Sequence, residues 1–309
     1  MNNPDLQRLA ALRPALRLRA GLTAYIRAFF RERGFLEVDT PVRLATPALE
    51  EFIDAEPAGS GWLRTSPELH LKRLLAAGYD RLFQLGPCFR QGERGRLHQP
   101  EFAMLEWYRG GADYEAILAD TRALVAGAAH TLLGRTVIER GGRPCDLAAA
   151  WDDWTVDAAF EQFAGLGVET VLAQGDGAFE TRLVETIEPH LGHDRPAILR
   201  DYPLAFGALA RRKPGRPDRA ERWELYIAGI EIANAYSELT DAAEQRRRFL
   251  ACAERRGREG RAVYPLDEPF LAALESGLPP CGGIALGFDR LLLLLAGADR
   301  LDDVLPFPA

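Results

Sequence analysis

The sequence predicts an α+β protein in which an antiparallel β-sheet is flanked by helices. Three observations carry this. Leu82–Phe89 and Phe102–Tyr108 are apolar runs on either side of a Gly-containing polar loop, and Trp223–Ala235 folds back on itself near Ala228-Gly229; both read as β-hairpins. A long segment near the front repeats apolar residues at three- and four-residue steps, as a helix with one buried face does. The chain then closes on a glycine-rich strand, Gly282–Gly287, that leads into a helix from Phe288.

Taken in order, the first element is a helix over Pro14–Arg33. Leu18, Leu22, Ile26, Phe29 and Phe30 form its apolar stripe, and Gly34 ends it. Phe35–Thr40 reads as a strand stopped by Pro41. Thr65-Ser66-Pro67-Glu68 is a helix start, with hydroxyls to cap it, Pro in the first turn and an acid at the N-terminus. Residues 113–134 are expected to be helical from Tyr114, Ile117, Leu118, Leu124 and Val125. Residues 140–200 suggest short helical pieces and carry no motif. Arg211–Glu221 is a charged Pro/Gly stretch expected to be a flexible basic loop, and Thr240–Glu259 an arginine-rich helix.

Composition narrows the function. A chain of 309 residues suits one catalytic domain over 1–309. A net charge of -7 argues against a broad electrostatic grip on nucleic acid, so stable tRNA binding is not expected. Cys88, Cys145, Cys252 and Cys281 are scattered, which suggests neither a zinc site nor a disulfide framework and fits a reducing cytoplasm. The N-terminus lacks the apolar stretch of a signal peptide, and Leu291–Ala296 is far too short to span a bilayer.

The most informative stretch is Phe89–Arg109. Its loop carries Arg90, Arg94 and Arg96, which suits an anionic ligand such as a nucleotide phosphate. Glu106 sits inside the second apolar run, where an ionised carboxylate is costly unless paired. A solvated hairpin tip with one outward Glu is the plain alternative. Parity adds more: Asn234, Tyr236 and Glu238 share one strand face, as do Glu106 and Tyr108. Glu231 and Glu238 have opposite parity, so a bulge or bend must intervene if both reach one metal, and the small Ala233 and Ala235 would permit it. Three acids (Glu68, Glu106, Glu238) converging with two tyrosines describe a pocket for a substrate bearing two ammonium groups, lysine or an isomer; a Glu68 that only complements the helix dipole and a Tyr108 in the core are the plain alternatives.

These segments resemble the class II aminoacyl-tRNA synthetases in their lysyl form. Phe29–Pro41 looks like motif 1, which in that family builds the dimer interface. Phe89–Arg109 is similar to motif 2, Gly283–Gly297 to motif 3, and Glu224–Asp241 to the lysyl-specific segment. The resemblance implies a class II catalytic core, a homodimer, ATP as substrate and Mg2+. It implies catalytic roles for Arg90, on the α-phosphate and the amino-acid carboxylate, and for Arg290, on the γ-phosphate; a helix-surface arginine paired with Asp289 or Asp299 is the alternative for the latter. It places Gln91, Gly92, Glu93, His98, Gln99, Phe102, Ile232 and Gly287 around ATP. Glu231 and Glu238 would hold the metal. Ser66, Pro67, Glu68, Glu106, Tyr108, Asn234, Tyr236, Glu238 and Ala285 would bind the amino acid.

Three positions depart from the lysyl pattern. Gly92 stands where the family's adenine-reading Glu is usual, with Glu93 next. Gln99 replaces an Asn. Ala285 replaces a Gly of the pocket floor. With motif 1 starting near residue 15, no anticodon-binding barrel is expected ahead of it. Together these features resemble the elongation factor P–(R)-β-lysine ligase family, which implies lysine or (R)-β-lysine as substrate and elongation factor P as acceptor. A truncated lysyl-tRNA synthetase and a catalytically inactive, regulatory paralogue remain the alternatives.

Overall fold

The computed structural model describes residues 3–175, 177–207 and 209–309. Its centre is an eight-stranded sheet. In chain order the strands are β1 (Leu36–Glu37), β2 (Arg81–Phe89), β3 (Glu101–Gly110), β4 (Asp152–Thr155), β5 (Ala197–Arg200), β6 (Arg222–Ile227), β7 (Ile230–Ser237) and β8 (Cys281–Gly287). They lie in the order β1-β2-β3-β8-β7-β6-β5-β4. The six inner strands pair antiparallel, and β1 and β4 add one parallel pair at each edge. The sheet is therefore antiparallel where the sequence predicts it and mixed at its margins.

Alternation along the strands sorts the two faces. Phe83, Leu105, Trp107, Ile284 and Leu286 pack against helices α2 (Arg13–Glu32), α4 (Tyr114–Leu133) and α7 (Phe288–Ala296); α1 (Pro4–Ala11) leads into α2. Phe30 of the predicted stripe stacks on Phe83 at 4.7 Å and meets Trp107 at 5.2 Å. Such pairs add about 0.5–1.5 kcal/mol each beyond area burial. Leu82 and Tyr108 point to the other face, toward α3 (Glu68–Ala76), α5 (Ala242–Arg258) and α6 (Glu268–Glu275). Helix α4 is long and apolar enough to cross a membrane by composition, but here Ile117, Leu118, Leu124 and Val125 are core.

Several expectations change. Phe35–Thr40 is a strand only at Leu36–Glu37. Pro67 precedes α3 as its cap residue rather than entering its first turn, and the Ser66 hydroxyl accepts the Glu68 N–H at 2.9 Å. Arg211–Glu221 is a short hairpin whose cations are ion-paired: Arg211 with Glu221 at 2.6 Å, Lys213 with Asp201 at 2.5 Å, and Arg216 with Asp157 and Asp218. Residues 140–200 hold β4 and β5 as well as helical turns.

The β6–β7 hairpin does turn at Ala228-Gly229, with φ of 49° and 73°, the left-handed pair that a tight two-residue turn needs. A bulge does lie between Glu231 and Glu238. Leu225 pairs with Ala233 but Tyr226 pairs with Glu231, so Ile232 is the extra residue.

Candidate active site

A cleft of about 740 Å³ opens on the β7–β8–β3 face. Its two ends are built differently.

One end is cationic. Arg90 closes β2, and its backbone N–H donates to Pro100 O at 2.9 Å, fixing the loop mouth. Its guanidinium lies over the Phe102 ring at 5.2 Å, and its buried Nε has no hydrogen-bond partner. Gly92 adopts φ +78°, a left-handed turn that glycine enters at little cost. That turn carries Glu93 into the cleft, 3.7 Å from Arg90, while Gln91 and Gly92 themselves do not line it. Arg290, in the first turn of α7, donates to Glu231 O at 2.8 Å, to Leu97 O at 3.2 Å and to His98 Nε2 at 2.8 Å. Burial and the Arg290 charge hold the His98 pKa below its ordinary value, so the imidazole is a neutral acceptor. The alternative partners of Arg290 are engaged elsewhere. Asp289 binds Arg19 and accepts from Ala103 N, and Asp299 lies by Arg140. Gln99, Phe102, Ile232 and Gly287 also line this end.

Glu231 lines the cleft here, but Glu238 does not, and the predicted metal pair fails. Seven residues of strand at about 3.3 Å each separate the two by roughly 20 Å. The carboxylate that does accompany Glu231 is Glu224, on β6. Hairpin pairing sets Glu231 opposite Tyr226, and Glu224 lies two residues further on the same face. Tyr226 and Tyr202 donate to Glu224 at 2.7 and 2.5 Å, and Arg222 binds it as well. Glu188 stands near both acids. Its pKa is pushed up to about 7 by burial and then by Glu224 and Glu231, a sign of crowded negative charge. Among the described residues no three His, Cys, Asp or Glu side chains are arranged to enclose an ion. Glu224 and Glu231 fit an ion that takes one or two carboxylates and completes its shell with phosphate and water, as Mg2+ does.

The other end is a buried charge box. Lys72, four residues after Glu68 on α3, reaches Glu68 at 2.5 Å and Glu238 at 2.6 Å. Lys72 and Glu238 are sealed from solvent. The two carboxylates hold the ammonium well above its ordinary pKa despite its burial. Glu106 lies in the same region, accepting from Ser66 Oγ at 2.7 Å and Tyr108 OH at 3.1 Å. Desolvation, then Glu68, pushes its carboxyl up to about 8. Gly283 is a glycine of necessity, because a Cβ there would run into Tyr108 and Glu238.

Of the predicted amino-acid residues, Ser66, Glu68, Tyr108, Asn234, Tyr236 and Ala285 line the cleft; Pro67, Glu106 and Glu238 stand behind it. β8 runs between β3 and β7, so the two predicted faces are second neighbours rather than adjacent, and Ala285 sits opposite both Glu106 and Asn234. Two carboxylates share the one resident ammonium, and a third, Glu106, lies beside Glu68 with only hydroxyl partners. A buried site with that imbalance attracts further positive charge.

Sequence reasoning missed Lys72 and Glu224. Lys72 at i+4 from Glu68 reads as a surface pair. Glu224 was recoverable from hairpin register, counted back from the turn.

A cationic hairpin loop, an arginine opening the last helix and a sheet floored by glycine-rich β8 define a class II catalytic core. The chain belongs to the tRNA synthetases class II (D, K and N), whose family model matches residues 4–309. It is 38% identical to the elongation factor P–(R)-β-lysine ligase of Vibrio cholerae, across 100% of this chain and 99% of that protein. It is 40% identical to the ligase of the same name from Sodalis glossinidius, over 94% and 93%. The lysine–tRNA ligase of Moorella thermoacetica is 38% identical, over 94% of this chain but 64% of that enzyme.

Proposed function

We propose that this protein activates a lysine-type amino acid, (R)-β-lysine, with ATP and transfers it to a lysine side chain of elongation factor P. The observation that carries the reading is the cleft's division. Phosphate-ready arginines stand at one end, and a box with an excess of carboxylates over ammonium stands at the other. The near full-length similarity to ligases of that name supports it.

The chemistry follows from charge. A substrate carboxylate must attack the α-phosphorus of ATP, so two anions must approach. No general base is needed; neutralisation and positioning are. Arg90 supplies a planar five-donor cation between the two groups. Its unpartnered Nε leaves a donor for the ligand. Arg290 offers its guanidinium, now held by carbonyls and His98, to the terminal phosphate. Glu224 and Glu231 would hold Mg2+, which when bound screens phosphate charge. Glu93, brought into the cleft by Gly92, would accept from the adenine amino group. At the other end Glu68 meets a substrate amine directly, while Glu106 acts through Ser66 and Tyr108, and Glu238 through Lys72. Ala285 narrows the floor by one methyl relative to glycine, favouring a differently shaped lysine isomer.

The proposal includes a cytoplasmic homodimer built on the Phe29–Pro41 segment, which sedimentation would test. The decisive experiment incubates the protein with ATP, each lysine isomer, and either elongation factor P or tRNA. Labelled amino acid is expected on elongation factor P. Efficient tRNA charging would promote the lysyl-tRNA synthetase reading. Absence of pyrophosphate exchange with every amino acid would promote the inactive paralogue.

A further inference from the structure

We infer that Glu50 is the proton acceptor of the transfer step, taking a proton from the acceptor lysine as its amine attacks the adenylate. The inference rests on the proposed function and supplies a residue that activation does not use.

Transfer poses a problem that activation lacks. A lysine ε-amine is protonated near neutral pH, with a reference pKa of about 10.4, and an ammonium is no nucleophile. The site must therefore hold a base close to the reacting carbonyl. The carboxylates described so far are committed. Glu224 is bound by Arg222 and two tyrosines, Glu68 and Glu238 by Lys72, Glu106 by Ser66 and Tyr108, Glu231 by Arg290, Glu93 by Arg90 and Glu188 by Tyr226.

Glu50 is different. It lines the cleft from the 49–53 segment. Among charged groups Arg90 acts on it most strongly and Glu68 next, followed by Arg222 and Glu93. Tyr236, Glu106 and Cys252 also feel its charge. It therefore shares one cleft with the arginine assigned to the α-phosphate and the acid assigned to the amine.

Its backbone is fixed, as a catalytic group requires. Arg256, fully buried on α5, donates to Glu50 O at 2.7 Å, to Ile53 O at 2.9 Å and to Asp54 at 2.5 Å. Arg261 adds a bond to Glu51 O at 2.8 Å. Burial pushes the Glu50 carboxyl up to about 7, with Arg90 opposing. A base poised near the working pH is the most effective kind.

The step balances. The acceptor ammonium gives one proton to the Glu50 carboxylate, and the freed amine attacks the carbonyl carbon. The C–N bond forms and the C–O bond to phosphate breaks. AMP departs with the electron pair, and the amide nitrogen loses its second proton to the departing phosphate or to water.

The test uses Glu50→Gln, which keeps size and loses basicity. Enzyme-bound (R)-β-lysyl adenylate is formed and offered either Nα-acetyl-lysine amide, whose amine is protonated, or hydroxylamine, which is already neutral at pH 7. Glu50→Gln is expected to leave pyrophosphate exchange and hydroxamate formation near wild type. It should slow aminolysis by the lysine amine by about 10²–10⁴-fold, the usual share of general-base catalysis. Wild-type aminolysis should rise with pH and level off above about 7, whereas the variant should go on rising toward the amine's own pKa. Equal slowing with both nucleophiles, or a raised KM for lysine in exchange, would make Glu50 a binding residue and overturn the inference. Unchanged aminolysis would overturn it outright. A wild type that forms no adenylate with either lysine isomer overturns the functional reading and this step with it; a loss confined to aminolysis in the variant touches Glu50 alone.

Discussion

The two ends of the cleft solve opposite problems with the same residue types. At the phosphate end, Arg90 and Arg290 are part-exposed, and their present partners are carbonyls, a neutral imidazole, an aromatic face and nearby glutamates. A ligand can replace those contacts at little cost. At the amino-acid end, Lys72, Glu106 and Glu238 are buried and already joined to one another or to hydroxyls. There the charges belong to the fold as much as to the ligand. The difference predicts where a substitution is read: in rate at the first end, in stability at the second.

The sharpest break of that contrast is Lys72→Met. It leaves Glu68 and Glu238 facing each other in a dry site. Removing one partner of a buried pair costs about 3–5 kcal/mol, so denaturant unfolding should show a loss on that scale. Adding Glu238→Gln should recover part of it. If Lys72→Met is as stable as wild type, the box is not a structural element and the contrast fails.

Arg90→Ala and Arg290→Ala should do the reverse. Each removes a donor aimed at developing charge, worth about 2.7–4 kcal/mol, or 10²–10³-fold in rate. Pyrophosphate exchange should fall by that much with the unfolding midpoint unchanged. Near-normal exchange in either variant would remove its assigned role.

Ala285→Gly probes the floor between the ends. One methyl is worth about 1–3 kcal/mol of discrimination, so preference should shift roughly tenfold or more toward α-lysine. An unchanged ratio of kcat/KM for the two isomers would show that Ala285 does not set the choice.

The buried box also has a pH signature. Glu106 has its pKa raised from 4.5 to about 8 in the fold, so the native state binds the proton more tightly than the unfolded chain. Its contribution is fully present below about pH 4.5 and is lost as pH rises toward 8. A diammonium ligand favours the ionised form. Lysine should therefore raise the melting temperature more at pH 9 than at pH 6. Glu106→Gln should flatten that dependence, and an increment that fell with pH would contradict the assigned charge state.

Much of this was legible in the sequence, for identifiable reasons. Apolar runs beside a glycine-containing loop placed β2 and β3, the fold-back at Ala228-Gly229 placed β6 and β7, and a glycine-rich run placed β8; the bulge at Ile232 exists, but the two acids that prompted the thought of one do not meet. The metal pair went wrong because parity fixes a face and says nothing of distance along it; Glu224 satisfied both. Lys72 was hidden because an i,i+4 pair looks the same buried or exposed. β4 and β5 were missed because each is four residues long and made by a parallel pairing across more than forty residues, which leaves no local period.

The smallest expected effect concerns the Arg211–Glu221 hairpin, where the sequence suggested a flexible basic loop. Its cations are already spoken for by Glu221, Asp201, Asp157 and Asp218, and Arg212 lies 3.4 Å from Glu244. A partner would have to displace those carboxylates for no net gain in charge. Exposed pairs of this kind contribute little to stability, and the hairpin lies outside the residues lining the cleft. Arg212→Gln with Arg216→Gln should thus leave adenylation, transfer to elongation factor P and melting temperature all near wild type. Transfer that weakened while adenylation held would show that the acceptor reads this hairpin after all. The division between the two ends of the cleft would then extend to a third surface.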